Sequence, residues 1–345
     1  MTGPTVRATA PLRISFVGGG TDFPHYFDRH GGAVLSATID HEVRVTIAPR
    51  PDRQVRVRSL DLGHLVAYHL DEGPEYDGVM DLAKAAIDRI GIDGGIEMAI
   101  ESDAPAGSGL GGSSALVSAV VGALAARAGL TMTADRLARL AYAIERDDLG
   151  IAGGWQDQYA VAFGGCNLLE FSAAGVAVTP VRADRAVMDR LRRNLLLCYT
   201  GGVRRNVGLI DAQISLYREG REKTILGMKQ LHEMAYAMRD ALEAGEPDHL
   251  GAMLHDAFEA KQRMNPHIAT DTPIEAMLAA ARNAGATGGK ICGAGGGGYL
   301  MVYAVSEVRG AVRRALEALG GQLAAFDFRA DGVRASRDGV PWAPA

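Results

Sequence analysis

The segment from Ala104 to Ala126, APAGSGLGGSSALVSAVVGALAA, decides how the chain is read. Gly107, Gly109 and Gly112 spell GxGxxG, the pattern of a dinucleotide-binding turn. That turn belongs in a βαβ unit with an acidic residue about 20 positions later, ending the second strand. Here the window holds RAGLTMTADRLARLA, which has a helical pattern and gives Asp135 no strand to end. The other phosphate loop, GxxxxGK[ST], needs a lysine where Ser113 stands. What remains is a strand, a glycine loop, and Ser113 and Ser114 in the first turn of an apolar helix. Glycines let the backbone approach a ligand closely, and a helix N-terminus offers free N–H groups and about half a positive charge. Two readings stand at this point: a phosphate site that needs no lysine, or a tight turn whose serines cap a core helix.

Outward from the loop, the pattern places this helix over Ser113 to Ala128, closed by Gly129. Before it, EVRVTIAPR from Glu42 and QVRVRSL from Gln54 alternate with period two and predict half-buried antiparallel strands. After it, Leu137, Leu140, Ala141 and Ile144 form the apolar stripe of a helix starting near Thr133, which delivers Glu145 to the segment LGIAGGWQDQYAVAFGG. NLLLCYTGG predicts a buried strand, and residues 184–193 a domain junction. Helices are expected over Glu222–Ala244 and His249–Met264. A third opens at Thr272-Pro273-Ile274-Glu275, which combines a capping box with proline at the first helical position. Strands at GGYLMVYAV and QLAAFDF, separated by a helix after Ser306, complete an α+β second half.

A chain of 345 residues suits two lobes with a cleft between them. With 36 basic against 41 acidic side chains it has no polycationic surface, which leaves nucleic-acid binding without support and points to a small partner. Cys166, Cys198 and Cys292, odd in number and far apart, suit neither a disulfide framework nor a zinc site and are expected as free thiols. The most apolar run, Ala115 to Ala126, is too short to span a bilayer. A cytoplasmic monomer or homodimer without a membrane partner is expected.

PAGSGLGGSSA resembles the nucleotide loop of the superfamily of galactokinase, homoserine kinase, mevalonate kinase and phosphomevalonate kinase, the GHMP kinases. Three further segments match in order: APLRISFVGGGTDFP from Ala10 resembles the substrate motif, GGWQDQYAVAFGG from Gly153 the segment with the catalytic aspartate, and GGKICGAGGGGYLMV from Gly288 the C-terminal glycine motif. Within the superfamily the chain is most similar to the D-glycero-D-manno-heptose 7-phosphate kinases. Galactokinases carry a Glu-His pair where this chain has Gly19-Gly20, and fucose-type kinases share part of the pattern. The resemblance implies a two-lobed α+β fold, with an N-terminal α/β nucleotide and substrate lobe over residues 1–185 and a C-terminal, ferredoxin-like α+β lobe over 186–345.

It further implies an ATP- and Mg²⁺-dependent sugar 1-kinase acting on the anomeric hydroxyl of the heptose 7-phosphate. An L-fucose-type or other free-sugar kinase and a non-catalytic sugar- or ATP-binding regulator of the same fold are the alternatives. By resemblance, Asp157 is the catalytic carboxylate, with Arg13 beside it keeping it ionised. Pro105, Gly107, Ser108, Gly109, Leu110, Gly111, Gly112, Ser113 and Ser114 form the ATP loop. Many relatives have serine where this chain has Gly112, which leaves Ser113 as the Mg²⁺ contact together with Glu145; Asp147 and Asp148 compete for the latter role. Gly20, Thr21, Asp22 and His25 are expected to meet the sugar, and Gly295 and Gly296 to line the cleft as a second glycine nest. A sugar phosphate calls for a cationic clamp, for which Arg204 and Arg205 stand first, with Lys261 and Lys290 behind them.

Overall fold

A computed structural model describes residues 4–201, 208–270 and 272–345. The first half runs β1 (Val6–Val17), α1 (Pro24–His30), β2 (Gly32–Pro49), β3 (Gln54–Ser59), β4 (Leu65–His69), α2 (Asp81–Ile90), β5 (Ile96–Ser102), α3 (Gly112–Ala128), α4 (Ala134–Ala143), α5 (Gln156–Phe163), β6 (Cys166–Ser172) and β7 (Gly175–Pro180). The second continues with α6 (Arg185–Asn194), β8 (Leu195–Tyr199), α7 (Leu209–Arg218), α8 (Glu222–Glu243), α9 (His249–Met264), α10 (Ile274–Asn283), β9 (Gly288–Ile291), β10 (Tyr299–Tyr303), α11 (Ser306–Ala318), β11 (Gln322–Ala324), β12 (Arg334–Arg337) and β13 (Val340–Trp342).

Two sheets organise these elements. The larger follows β13-β12-β1-β2-β5-β3-β4, with β6 and β7 continuing from the first part of β2. The smaller is antiparallel, in the order β11-β8-β10-β9. β2 shows why a single long strand can serve two environments. Its second part buries Val43, Val45 and Ile47 and leaves the alternate residues half-exposed, as period two requires. Its first part, Gly32–Ile39, is buried throughout because α3 packs on β2 from one layer and α8 from another. α3 is buried on nearly all sides, touching β1, β2, α2, α4, α5 and β12, which explains an apolar sequence with no polar face.

α4 starts where Thr133 caps it, its hydroxyl accepting from the Arg136 N–H at 3.1 Å, and it buries Leu137 and Ala141. The helix then widens into a π-turn over Ile144–Asp148. The junction expected over residues 184–193 is largely α6, which leads into β8.

Three expectations need correction. The tetrad at Thr272 forms only half of a capping box: the Thr272 hydroxyl accepts from Ile274 N–H at 3.4 Å, but α10 begins at Ile274 with Pro273 at its N-cap, and the Glu275 carboxylate is drawn to Gln262 of neighbouring α9 at 2.6 Å. The strand at QLAAFDF stops at Ala324, because the chain then crosses to the larger sheet, where Asp40 N–H donates to Asp327 O at 3.0 Å and Ile39 bridges Phe328. β12 and β13 therefore lie in the larger sheet, with β12 paired to β1, so the division at 185/186 separates the two sheets only as far as β11. Among the described residues, no helix is long and apolar enough to cross a membrane.

Candidate active site

A cleft of about 720 Å³ opens where the β5–α3 loop, the turn after β1, the π-turn with the loop after it, and the β9–β10 turn converge. The loop between β5 and α3 carries Gly107, Gly109 and Gly111 at φ +76°, +81° and +76°, conformations that side chains resist. No side chain caps α3: Gly111 occupies the cap, so the serines are not capping groups, and the first turn of the helix lines the cleft with its N–H groups uncapped by any side chain. Pro105, Gly107, Ser108, Gly109, Gly111, Gly112, Ser113 and Ser114 all line it. Leu110 does not; its side chain is fully buried and its carbonyl accepts from the Arg13 N–H at 3.0 Å, tying the loop to β1.

The C-terminal glycine motif buttresses this loop. Tyr299 N–H donates to Ser108 O at 3.0 Å. A Cβ on Gly109 would stand 2.8 Å from Cys292 O, and one on Gly293 only 2.6 Å from Gly109 Cα, so the two glycine turns meet backbone to backbone. Gly295 and Gly296 line the cleft, and Gly295 O accepts from Ala269 N–H at 3.1 Å.

Facing the loop, Asp157 sits in the first turn of α5 and pairs with Arg13 of β1: Nε and Nη2 of Arg13 lie 2.7 and 2.6 Å from its Oδ1. Arg13 is almost wholly buried, whereas a quarter of the Asp157 side chain is open to the cleft. The third arm, Nη1, donates to Gly109 O at 2.7 Å, so one guanidinium joins the carboxylate to the glycine loop.

Glu145 is buried in the π-turn, its Oε2 accepting from Ser114 Oγ at 2.9 Å and from Gln158, with Arg146 at 3.5 Å. Burial pushes its carboxyl upward, and Arg146 and the two hydrogen bonds pull only part of the way back. A buried carboxylate in this state, in the wall of the cleft beside a helix N-terminus, fits a divalent cation, which favours the ionised form. Ser113 is exposed beside it, while Ser114 is spent on Glu145. Asp147 and Asp148 do not line the cleft; Asp148 pairs with Arg89 at 2.5 Å.

On the sugar-motif side, Asp22 is 1% exposed and accepts from the N–H groups of Gly20 at 2.9 Å and Gln156 at 3.1 Å. Burial raises its carboxyl, with a smaller push from Asp157, and the backbone donors oppose both. Gly20 lines the cleft beside it. Thr21 departs from expectation. Its hydroxyl lies 2.8 Å from Gly18 O and 3.1 Å from Ala33 O and accepts from Ala33 N–H, with no exposed surface, so it fixes the turn and has no free bond for a sugar. His25 also lies away from the cleft lining, packed between the rings of Phe23 and Tyr217 at 5.4 and 5.2 Å. Arg204 and Arg205 lie outside the described residues.

Lys261 and Lys290 line the cleft from the C-terminal side. Burial pushes Lys261 down to about 7 and Lys290 to about 8. Gln158, which flanks Glu145, lies in the quoted motif segment but had no role assigned there, and Arg146 carried no sequence signal of its own, since an arginine beside acidic residues is ordinary surface composition. The three cysteines are free thiols.

Family models for the N-terminal and C-terminal domains of GHMP kinases match residues 78–165 and 238–323. A D-glycero-alpha-D-manno-heptose 7-phosphate kinase of Campylobacter jejuni is 33% identical, over 96% of this chain and 99% of its own. An L-fucokinase/L-fucose-1-P guanylyltransferase of Bacteroides fragilis is 29% identical, over 89% of this chain and 35% of that protein. The crystal structure of a D-glycero-D-manno-heptose 1-phosphate kinase from Bacteroides thetaiotaomicron superposes with a TM-score of 0.80 at 31% identity, covering 96% of this chain and 98% of that one. With both domain models matched and a relative aligned nearly end to end, the chain belongs to the GHMP kinase family and is one of its sugar kinases.

Proposed function

We propose that this kinase transfers the γ-phosphoryl group of Mg-ATP to the anomeric hydroxyl of D-glycero-D-manno-heptose 7-phosphate, giving the 1,7-bisphosphate. The observation that carries the reading is the Arg13–Asp157 pair, set at the mouth of an uncapped helix beside a glycine loop. Phosphoryl transfer has a loose transition state, so a protein accelerates it mainly by positioning the reactants and stabilising charge on the oxygens. Asp157, part open to the cleft, takes or orients the proton of the attacking hydroxyl. Arg13, held by Asp157 and Gly109 O, presents positive charge where the phosphoryl group passes.

The N–H groups at the start of α3 and its loop receive the nucleotide's phosphates. Ser113 and Glu145 would hold Mg²⁺, which neutralises charge on phosphate oxygens when bound. Asp22, with Gly20 beside it, fixes the sugar by its hydroxyls; a site built to hydrogen-bond hydroxyls rejects analogues that lack them. The heptose phosphate rests on the likeness to the Campylobacter kinase over nearly the whole of both chains. The fucokinase likeness supports a free 6-deoxy sugar as the second reading.

The test is ADP release with Mg-ATP and, in turn, heptose 7-phosphate, mannose, fucose, galactose and no sugar. Sugar-dependent turnover is expected with heptose 7-phosphate alone. Turnover on fucose would move the assignment to the second reading, and ATP hydrolysis unaffected by any sugar would favour a binding regulator.

A further inference from the structure

Arg13, Lys261 and Lys290 concentrate three cations at the floor of the cleft, yet only Arg13 has an acid to match. Lys261, on α9, and Lys290, on β9, are 6% and 3% exposed. Lys290 Nζ donates to Ser15 O at 2.7 Å and Lys261 Nζ to Gly293 O. An ammonium carries three donors, so each lysine keeps two beyond its carbonyl. Among the described residues neither forms an ion pair with a carboxylate. Asp22 acts on Lys261 only through space, while Lys290 and Arg13 repel it. Buried charge is costly unless paired, and two like charges facing one cavity make that worse. An anion seated between the two lysines would offset that cost and favour their charged forms.

The surroundings restrict what that anion is. Both lysines line the same cleft as the glycine turn Gly293–Gly297, whose backbone rests against the nucleotide loop at Gly109. Lys290 reaches back to β1, the strand that carries Arg13 and leads to Asp22. A compact anion with several acceptor oxygens would meet the free donors of both ammoniums, and a phosphate group answers that description better than a single carboxylate.

We propose that Lys261 and Lys290 form a second phosphate seat, beside the one at the start of α3, that binds a phosphate group carried by one of the two substrates. The proposal rests on the kinase reading above. The group comes either from the acceptor sugar or from the nucleotide, and the experiment separates these sources.

Lys261→Gln removes the charge and keeps a donor for Gly293 O; Lys261→Arg keeps the charge. Binding of inorganic phosphate to the intact protein, measured by calorimetry, is expected to weaken at least tenfold in the glutamine variant and to return to within threefold of wild type with arginine. Steady-state kinetics then assign the source. A tenfold rise in KM for heptose 7-phosphate with KM for ATP unchanged assigns the seat to the acceptor's phosphate, and the reverse assigns it to the nucleotide. Unchanged phosphate binding and unchanged KM for both substrates would overturn the proposal and leave the lysines as braces on the Ser15 and Gly293 carbonyls. Lys290→Gln provides a second test where Lys261→Gln fails to fold. A wild-type protein that releases no ADP with heptose 7-phosphate contradicts the substrate reading instead, and the calorimetric comparison still reads the seat.

Discussion

Asp157→Ala is expected to lower kcat by about 10²–10⁴-fold, the range typical of a positioned proton acceptor, while ATP still binds. The residue combines an open carboxylate edge with a buried cationic partner that also bonds Gly109 O of the glycine loop, whereas Lys84, the buried partner of the cleft-lining Asp81, bonds Glu75 O and Asp77 instead. Glu145 is closed in by Ser114, Gln158 and Arg146, and Asp22 is held by two backbone donors. Fluorescent-nucleotide titration alongside turnover separates the outcomes. A kcat near wild type would remove Asp157 from the mechanism, and a loss of ATP binding equal to the loss of turnover would make its role one of loop structure.

Arg13→Met is expected to reduce kcat by about 10²–10³-fold, comparable to removing a preorganised charge-stabilising donor elsewhere. It is also expected to raise the KM for ATP, unlike Asp157→Ala, because the lost guanidinium arm supports Gly109 O in the nucleotide loop. Arg13→Lys should recover part of the rate but little of the loop support, since a point charge cannot span Asp157 and Gly109 O as a planar fork does. Steady-state constants for the three proteins, with thermal melts to confirm folding, check both statements. A methionine variant within tenfold of wild-type kcat would refute the role.

Much of the architecture could be read where a local pattern coincided with its tertiary use. α9 has the expected bounds, α3 ends at a left-handed Gly129, and Thr133 caps α4 as its position suggests. The glycine loop lacks the setting of a dinucleotide site, because Asp135 lies in α4 and not at the end of a strand. Local pattern failed where a distant partner intervened. Glu275 has the spacing of a capping box but meets Gln262 from another helix. QLAAFDF has the composition of one strand, yet the chain must leave the smaller sheet to reach Ile39.

The site divides along the same line. Asp157, Arg13 and Glu145 gather in the cleft as the motifs implied. Thr21 has a sugar contact's residue type, but its hydroxyl satisfies the backbone of its own turn and of Ala33. His25 follows the motif closely in sequence, and helix α1 turns it toward Tyr217. Lys261 and Lys290 stood behind Arg204 and Arg205 as clamp candidates, but a lysine in an amphipathic helix and another in a glycine-rich strand do not reveal that they share one corner. Only the packing of α9 against β9 brings them together.

The central claim is transfer from ATP to the anomeric oxygen of a phosphorylated heptose, and phosphorus NMR of the product tests it most directly. Incubation with Mg-ATP and heptose 7-phosphate is predicted to give ADP and a second sugar phosphate resonance that couples to the anomeric proton, with the 7-phosphate signal retained. Inorganic phosphate in place of that resonance, or a new phosphate on any other carbon, would contradict it.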